Sequence, residues 1–310
     1  MRNTFAKEVT NLAKTDKRVV LLSGDIGNKL FDEFKEVDAQ RFYNCGVAEA
    51  NMMGVAAGMA LSGLRPIVYT ITPFTTTRCF EQIRVDVCYH QAPVIIVGTG
   101  AGLSYAELGP THHSLEDLAI LRTLPGMIVL APCDAKELQC ALRAALQQDQ
   151  PVYIRIGKKG EPVIHPNLER LEFGKALPVT KGSDIALLST GTLMPEVLKA
   201  AELLKEKGIS AEVMSFHTIK PLDTAYLTQA VQSFKLLVSI EEHGVIGGLG
   251  SAIAEWLATQ PISKPFLSLG TPDEFMHEIG SQEYAREKYG LVGEKIVASI
   301  LQRLGQSACV

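Results

Sequence analysis

Short apolar runs dense in Val and Ile alternate along the chain with stretches that have helical spacing. In the first half the runs are "RVVLLS", "RPIVYTIT", "APVIIVGT", "MIVLAP" and "PVYIRI"; in the second they are "DIALLST", "SAEVMSF" and "LLVSIEE". Such alternation predicts parallel α/β sheets. Between the halves, residues 157–184 are rich in Gly, Pro and charge and poor in helical period, which reads as a linker. The pattern predicts an α/β domain with a parallel sheet flanked by helices at 1–160, a linker at 161–180 and a second α/β domain at 181–310. It shows no short repeat and no low-complexity tract.

Composition narrows the partners. A chain of 310 residues, 46% hydrophobic and 21% charged, is long enough for about two domains. A formal net charge of −4 supplies no basic field for nucleic acid or an anionic membrane. The opening "MRNTFAKEVTNLAK" reads as an amphipathic helix rather than a secretion signal. Apolar stretches such as "APVIIVGTGAG" fall far short of the roughly 20 residues that cross a bilayer. The expected location is cytoplasmic. The six cysteines form no C-x-x-C pair and no spacing with histidine that suggests zinc, so reduced, mostly buried thiols are expected. Cys45 and Cys79 lie near the residues read below as functional, which leaves a role for them open.

One stretch, "YNCGVAEANMMGVAAGMALSG" (43–63), sets a lone carboxylate, Glu49, among small and apolar residues. The spacing predicts a helix from about Val47, with Gly46, Ala50, Gly54 and Gly58 lining one face. Three glycines lower helix propensity, so close packing of another backbone is expected to compensate. Glu49 is then either a first-turn glutamate facing water or a partly desolvated carboxylate suited to sharing a proton with a ligand nitrogen.

Two further segments carry candidate chemistry. After "RPIVYTIT" comes "PFTTTRCFEQIRVDVCYH", which places Phe74 and Arg78 at the C-terminal end of a strand, where open α/β sheets bind ligands. Phe74 could equally be core, and Arg78 could pair with Glu81 or Glu107. After "APVIIVGT" a loop of about fifteen residues, 99–113, carries four glycines and ends in His112 and His113. The next helix start is marked by Ser114 and Asp117. Two adjacent histidines without a third ligand are poor evidence for a metal, and none is expected there.

Together these segments resemble the C-terminal half of transketolase and its thiamine-diphosphate relatives over essentially the whole chain. "GVAEANMMGVAAGMALSG" is similar to the family's G-(I/V)-A-E-x-(N/H) helix, "FEQIRVD" to the helix that follows, "GPTHHSLEDLAILR" to the G-P-T-H-Q loop, and "SIEEHGVIGGLGSAIAE" to a stretch of the C-terminal domain. The resemblance implies a pyrimidine-binding domain followed by a transketolase C-terminal domain. It implies that Glu49 hydrogen-bonds N1′ of the aminopyrimidine and relays a proton, that Phe74 stacks on that ring with Arg78 nearby, and that His112 contacts the donor's oxygens. His113 stands where glutamine is usual.

The family's G-D-G motif and following asparagine, which anchor diphosphate and Mg²⁺, have no counterpart; "SGDIGNK" lacks that arrangement. The resemblance therefore implies a separate N-terminal-half subunit that ligates Mg²⁺, a cofactor at the interface and an α₂β₂ assembly, with the glycine stripe as a subunit contact. In the substrate pocket Leu108 replaces a sugar-reading aspartate and Gly100 a phosphate-contacting histidine, while the position of a phosphate-binding arginine falls near Lys158 or Lys159. These departures imply a ketol transfer between sugars other than the usual pentose phosphates. A decarboxylating relative, the β subunit of a 2-oxo-acid dehydrogenase or a deoxyxylulose-phosphate synthase-like enzyme, is the alternative, and a catalytically silent homologue a third. In the second domain, "EEHGVIGGLGS" reads either as a phosphate cradle or, better, as packing.

Overall fold

The computed structural model describes residues 1–27, 29–158 and 160–305. Six strands form the body of the first sheet: β1 (Val19–Ser23), β2 (Phe42–Asn44), β3 (Arg65–Ile71), β4 (Ile95–Thr99), β5 (Ile128–Leu130) and β6 (Val152–Ile156). The second half contributes β7 (Leu177–Thr180), β8 (Ile185–Ser189), β9 (Ala211–Ser215), β10 (Thr218–Lys220), β11 (Leu236–Gly244) and β12 (Phe266–Thr271). The strand order is β10-β5-β6-β4-β3-β1-β2 in one sheet and β12-β11-β8-β9-β7 in the other. Pairing is parallel except at two edges, where β10 runs antiparallel to β5 and β7 antiparallel to β9. Thus a strand from the second half of the chain completes the first half's sheet.

Both faces of the first sheet are buried, which is why its strands read as unbroken apolar runs. Val19, Leu21, Ile67, Tyr69, Ile95 and Val97 face Phe5, Val9, Phe34 and Leu142. The alternate residues Val20, Leu22, Val68 and Ile96 share a cluster with Met52, Met53, Ile83 and Leu118, and that cluster continues into Leu188, Phe216, Leu249 and Ile253 of the second half. One apolar core therefore spans the seam between the sheets. A separate cluster covers the far face of the second sheet, with Leu187, Val197, Leu204, Ile296 and Ile300. Among the described residues, no helix is long and apolar enough to cross a membrane.

Three sequence expectations need correction. The helix expected from Val47 begins at Glu49, and Gly46 lies before it with φ +67°, a conformation glycine adopts without penalty. Ser114 does not cap the next helix, which starts at Asp117; Ser114 N–H pairs with Gly102 O instead, and Asp117 accepts the Tyr153 hydroxyl at 2.6 Å and faces Arg155 at 3.1 Å. The glycine-rich start of the helix Leu249–Ala258 is not an open anion cradle. Glu241 accepts both the Leu249 and Gly250 N–H groups at 2.8 Å, so that helix terminus is already capped from within the chain.

Candidate functional site

The strands β4, β3, β1 and β2 are consecutive neighbours, so the segments leaving their C-terminal ends converge on one rim. From β2 the chain turns through Gly46 into the helix Glu49–Leu61. Met52, Met53, Ala56 and Ala57 of that helix are buried against the sheet, which fixes Glu49 in its first turn. From β3 it enters the short helix Thr72–Thr75, with Pro73 at its start and Phe74 next. The loop from β4 holds a 3₁₀ turn, Ala106–Leu108, and then His112.

Glu49 is only 4% exposed, which rules out the water-facing alternative. Arg78 Nη1–H donates to its Oε2 at 2.9 Å, so the partner of Arg78 is neither Glu81 nor Glu107. The same guanidinium lies over the Phe74 ring, its Cζ 4.1 Å from the centroid, within range of a cation–π contact. On Phe74 the His112 ring packs edge-on, with centroids 5.3 Å apart, and Tyr105 lies 6.1 Å beyond His112. Burial, then the nearby positive charge of Arg78, holds the His112 imidazole below the usual histidine range, and Thr111 Oγ1 is 2.9 Å from its Nδ1. The group is therefore a neutral imidazole at neutral pH.

Lys158 sits over the Tyr105 ring at 4.5 Å and is ion-paired with Glu107. Lys159, the other candidate at this place, lies outside the described residues. Leu108 is 47% exposed and contributes no polar contact. Gly100 has a local explanation: φ is +86°, and a Cβ there would fall 2.1 Å from the Tyr105 ring, which fills the space a side chain would need. His113 is buried with Nε2 unpartnered, and its pKa is lowered mainly by that burial. Glu49, Arg78, Phe74, His112, Tyr105, Lys158 and Glu107 thus form one contiguous string.

A cavity of about 550 Å³ opens beside this string. Its wall includes Phe74, Arg78, Thr77, His113 and Glu116, with Phe275 from the second half of the chain. Sequence reasoning missed Tyr105 and Phe275. The pairing of a glycine at 100 with an aromatic five residues later was the available signal for the first; the second offered none. Cys79 is not a nucleophile: burial pushes its thiol up to about 12, and Sγ donates to Thr75 O and Phe74 O, which ties down the turn carrying Phe74.

A planar N–H donor fits between Phe74 and Glu49, because Arg78 already makes both contacts. The diphosphate and its cation are a different matter. Among the described residues the only grouping of three or more His, Cys, Asp or Glu ligand atoms is Cys133, Glu137 and His165, and none of these lines the cavity.

Comparison with known proteins agrees with this geometry. The family profile for the transketolase pyrimidine-binding domain matches residues 1–161, and that for the transketolase C-terminal domain matches residues 174–296. One of the two subunits of the apulose-4-phosphate transketolase of Phocaeicola vulgatus is 36% identical over 305 residues, 97% of this chain and 96% of that protein. The 6-deoxy-6-sulfo-D-fructose transketolase subunit SqwH of Clostridium sp. strain MSTE9 is 38% identical over 301 residues, 96% of this chain and 92% of that one. A solved structure described as a split-gene transketolase in an inactive beta4 tetramer superposes with a TM-score of 0.89 at 33% identity, covering 99% of this chain and 98% of that chain.

Proposed function

We propose a function from one premise: this chain belongs to the transketolase family. It acts as the β-type subunit of a split thiamine-diphosphate-dependent transketolase in the cytoplasm and moves a two-carbon ketol unit from a ketose to an aldose. A separate N-terminal-half subunit carries the diphosphate and Mg²⁺ site, in an α₂β₂ assembly. The observation that carries this reading is the berth between Glu49 and Phe74, where a planar cation already lies on the ring and donates to the buried carboxylate.

Bound in that berth, the cofactor would supply a carbon nucleophile and an electron sink for C–C bond cleavage. Phe74 holds the pyrimidine by offset stacking. Glu49 shares a proton with a ring nitrogen through Oε2, which an amide could not do. Arg78 occupies that ring face and that oxygen here, so it yields the face and remains at the rim as a cation. His112, neutral and close to Phe74, offers the donor's hydroxyl oxygens a hydrogen-bonding group rather than a charge.

The distal end of the pocket favours sugars other than the usual pentose phosphates. Glu107 offsets the charge of Lys158, Leu108 offers no hydrogen bond, and Tyr105 fills the place of a residue-100 side chain. Two relatives of similar identity are named for different sugars, apulose 4-phosphate and 6-deoxy-6-sulfo-D-fructose, which supports variation of substrate among such subunits.

Calorimetric titration of thiamine diphosphate and Mg²⁺ into the chain, alone and mixed with an N-terminal-half subunit, tests the reading. Binding is expected only in the mixture. Phe74→Ala should weaken it by about 2- to 12-fold, the worth of roughly 0.5–1.5 kcal/mol of stacking. Glu49→Gln should lower turnover by about 10²-fold or more. Tight binding by the chain alone would remove the two-subunit model. Turnover of xylulose 5-phosphate with ribose 5-phosphate at ordinary transketolase rates would remove the substrate proposal, and CO₂ release from pyruvate would favour the decarboxylating alternative.

A further inference from the structure

We propose that Cys133, Glu137 and His165 form a site for a zinc-class divalent ion that clips the segment between the two sheets onto the first domain. No short-range motif announces it, because the histidine lies 28 residues beyond Glu137 in the sequence; the fold brings the three together. Cys133 follows β5, and Glu137 is in the first turn of the helix Ala135–Leu146. One ligand atom from each of the three lies within 4.8 Å of the others. Glu137 and Cys133 are 0% and 1% exposed.

The surroundings hold each group in place while leaving one ligand atom of each unused. Asp134 caps the helix through Oδ1, which accepts the Lys136 and Glu137 N–H groups, and through Oδ2 it accepts Ile164 N–H at 2.6 Å and His165 N–H at 2.8 Å. That second pair of bonds seats His165 over Glu137. The His165 Nε2 is 3.4 Å from the Pro178 carbonyl oxygen, which can only accept, so the proton belongs on Nε2 and the lone pair on Nδ1. A backbone carbonyl on the far ring nitrogen is the usual arrangement behind a metal-bound imidazole. Glu137 Oε2 is taken by Cys133 N–H at 2.7 Å. Glu137 Oε1 and His165 Nδ1 remain, 3.1 Å apart, both buried and neither in an aligned hydrogen bond.

Two lone pairs facing each other out of water need a cation. A proton there would give a plain imidazolium–carboxylate pair and leave the thiol as a bystander. A divalent ion would use all three groups: ligands about 2.0–2.1 Å from zinc in a tetrahedron lie about 3.3 Å apart, close to the observed separation. Thiolate, imidazole and carboxylate together match the zinc class rather than Mg²⁺ or Ca²⁺. Binding would release the Cys133 thiol proton.

Titration of the reduced, metal-free full-length chain with Co²⁺ tests this. One equivalent should give a thiolate-to-cobalt charge-transfer band with tetrahedral visible bands, and Zn²⁺ should displace it. The near-isosteric Cys133→Ser should abolish the charge-transfer band while circular dichroism stays native, and His165→Gln should weaken binding by about tenfold or more. Zn²⁺ should raise the melting temperature of the parent chain but not of Cys133→Ser. A folded parent chain with no charge-transfer band, or a band that persists in Cys133→Ser, overturns the proposal and leaves the Glu137–His165 ion pair as the whole content of the cluster.

Discussion

His112 has two reasons to remain neutral, desolvation first and the Arg78 guanidinium second. Removing the second should be visible without any substrate. In Arg78→Met the His112 imidazole is expected to titrate closer to the ordinary value, about 6.5, than in the parent chain, read from the ring resonances by NMR. An unchanged midpoint would mean that Arg78 does not reach His112 electrostatically. His113 carries a related prediction at the level of stability. Its folded-state pKa is lowered by burial, so the folded protein binds fewer protons than the unfolded chain once the pH falls below about 6.5. The stability its neutral form supports is present above that pH and is lost as the pH drops toward the depressed folded value. Melting temperatures between pH 7.5 and 5.5 should therefore fall less steeply in His113→Gln than in the parent chain. Glu49, Phe74 and His112 were legible in the sequence because each sits in a short motif beside a strand end. The Glu49–Arg78 pair was not, because the nearer acids Glu81 and Glu107 were equally reasonable partners and local spacing could not choose among them.

The loop that carries His112 is held at its other end by the second half of the chain. Glu242, 2% exposed on β11, accepts Leu103 N–H at 2.6 Å, Gln282 Nε2–H at 2.8 Å and Arg286 Nε–H at 2.5 Å. Gly102 has no room for a side chain, since a Cβ there would fall 2.5 Å from Glu242 Oε1. Glu242→Ala leaves a mostly buried guanidinium, an amide and a backbone N–H without their acceptor, and the loss of such a buried pair costs about 3–5 kcal/mol. The expected outcome is a lower melting temperature together with faster hydrogen exchange at Leu103, the second being the sign that the loop rather than the helix Gln282–Lys288 has loosened. Exchange at Leu103 unchanged from the parent would show that the loop stands without Glu242. The elements themselves were read unevenly. The eight strands foreseen are all interior: β1, β3, β4, β5, β6, β8, β9 and β11. The four that escaped, β2, β7, β10 and β12, are the four sheet edges. Buried on one side at most, or only three residues long, an edge strand has no need of the dense Val and Ile run that marks a strand covered on both faces.

At the scale of the whole molecule, the helix Glu49–Leu61 presents a face that nothing in the chain covers. A Cβ at Gly58 would meet no atom within 4 Å, and one at Gly54 would meet only Asp86 Oδ2 at 3.6 Å. Beside them Val47 is 78% exposed, Leu61 58% and Val55 41%. Each helical glycine costs about 1 kcal/mol relative to alanine, and here no intramolecular packing offsets that cost. The close packing that the glycine spacing led one to expect is thus absent within the subunit, which is consistent with a contact made between subunits. Val55→Asp is the sharper test, because it puts an unpaired charge into that contact while leaving the isolated subunit's core untouched. Sedimentation or light scattering of the chain with its N-terminal-half partner should show a shift toward dissociated subunits, with native circular dichroism and little change in the melting temperature of the isolated chain. Full assembly by the Val55→Asp variant would remove this helix from the interface, and the exposed glycines would then need another explanation.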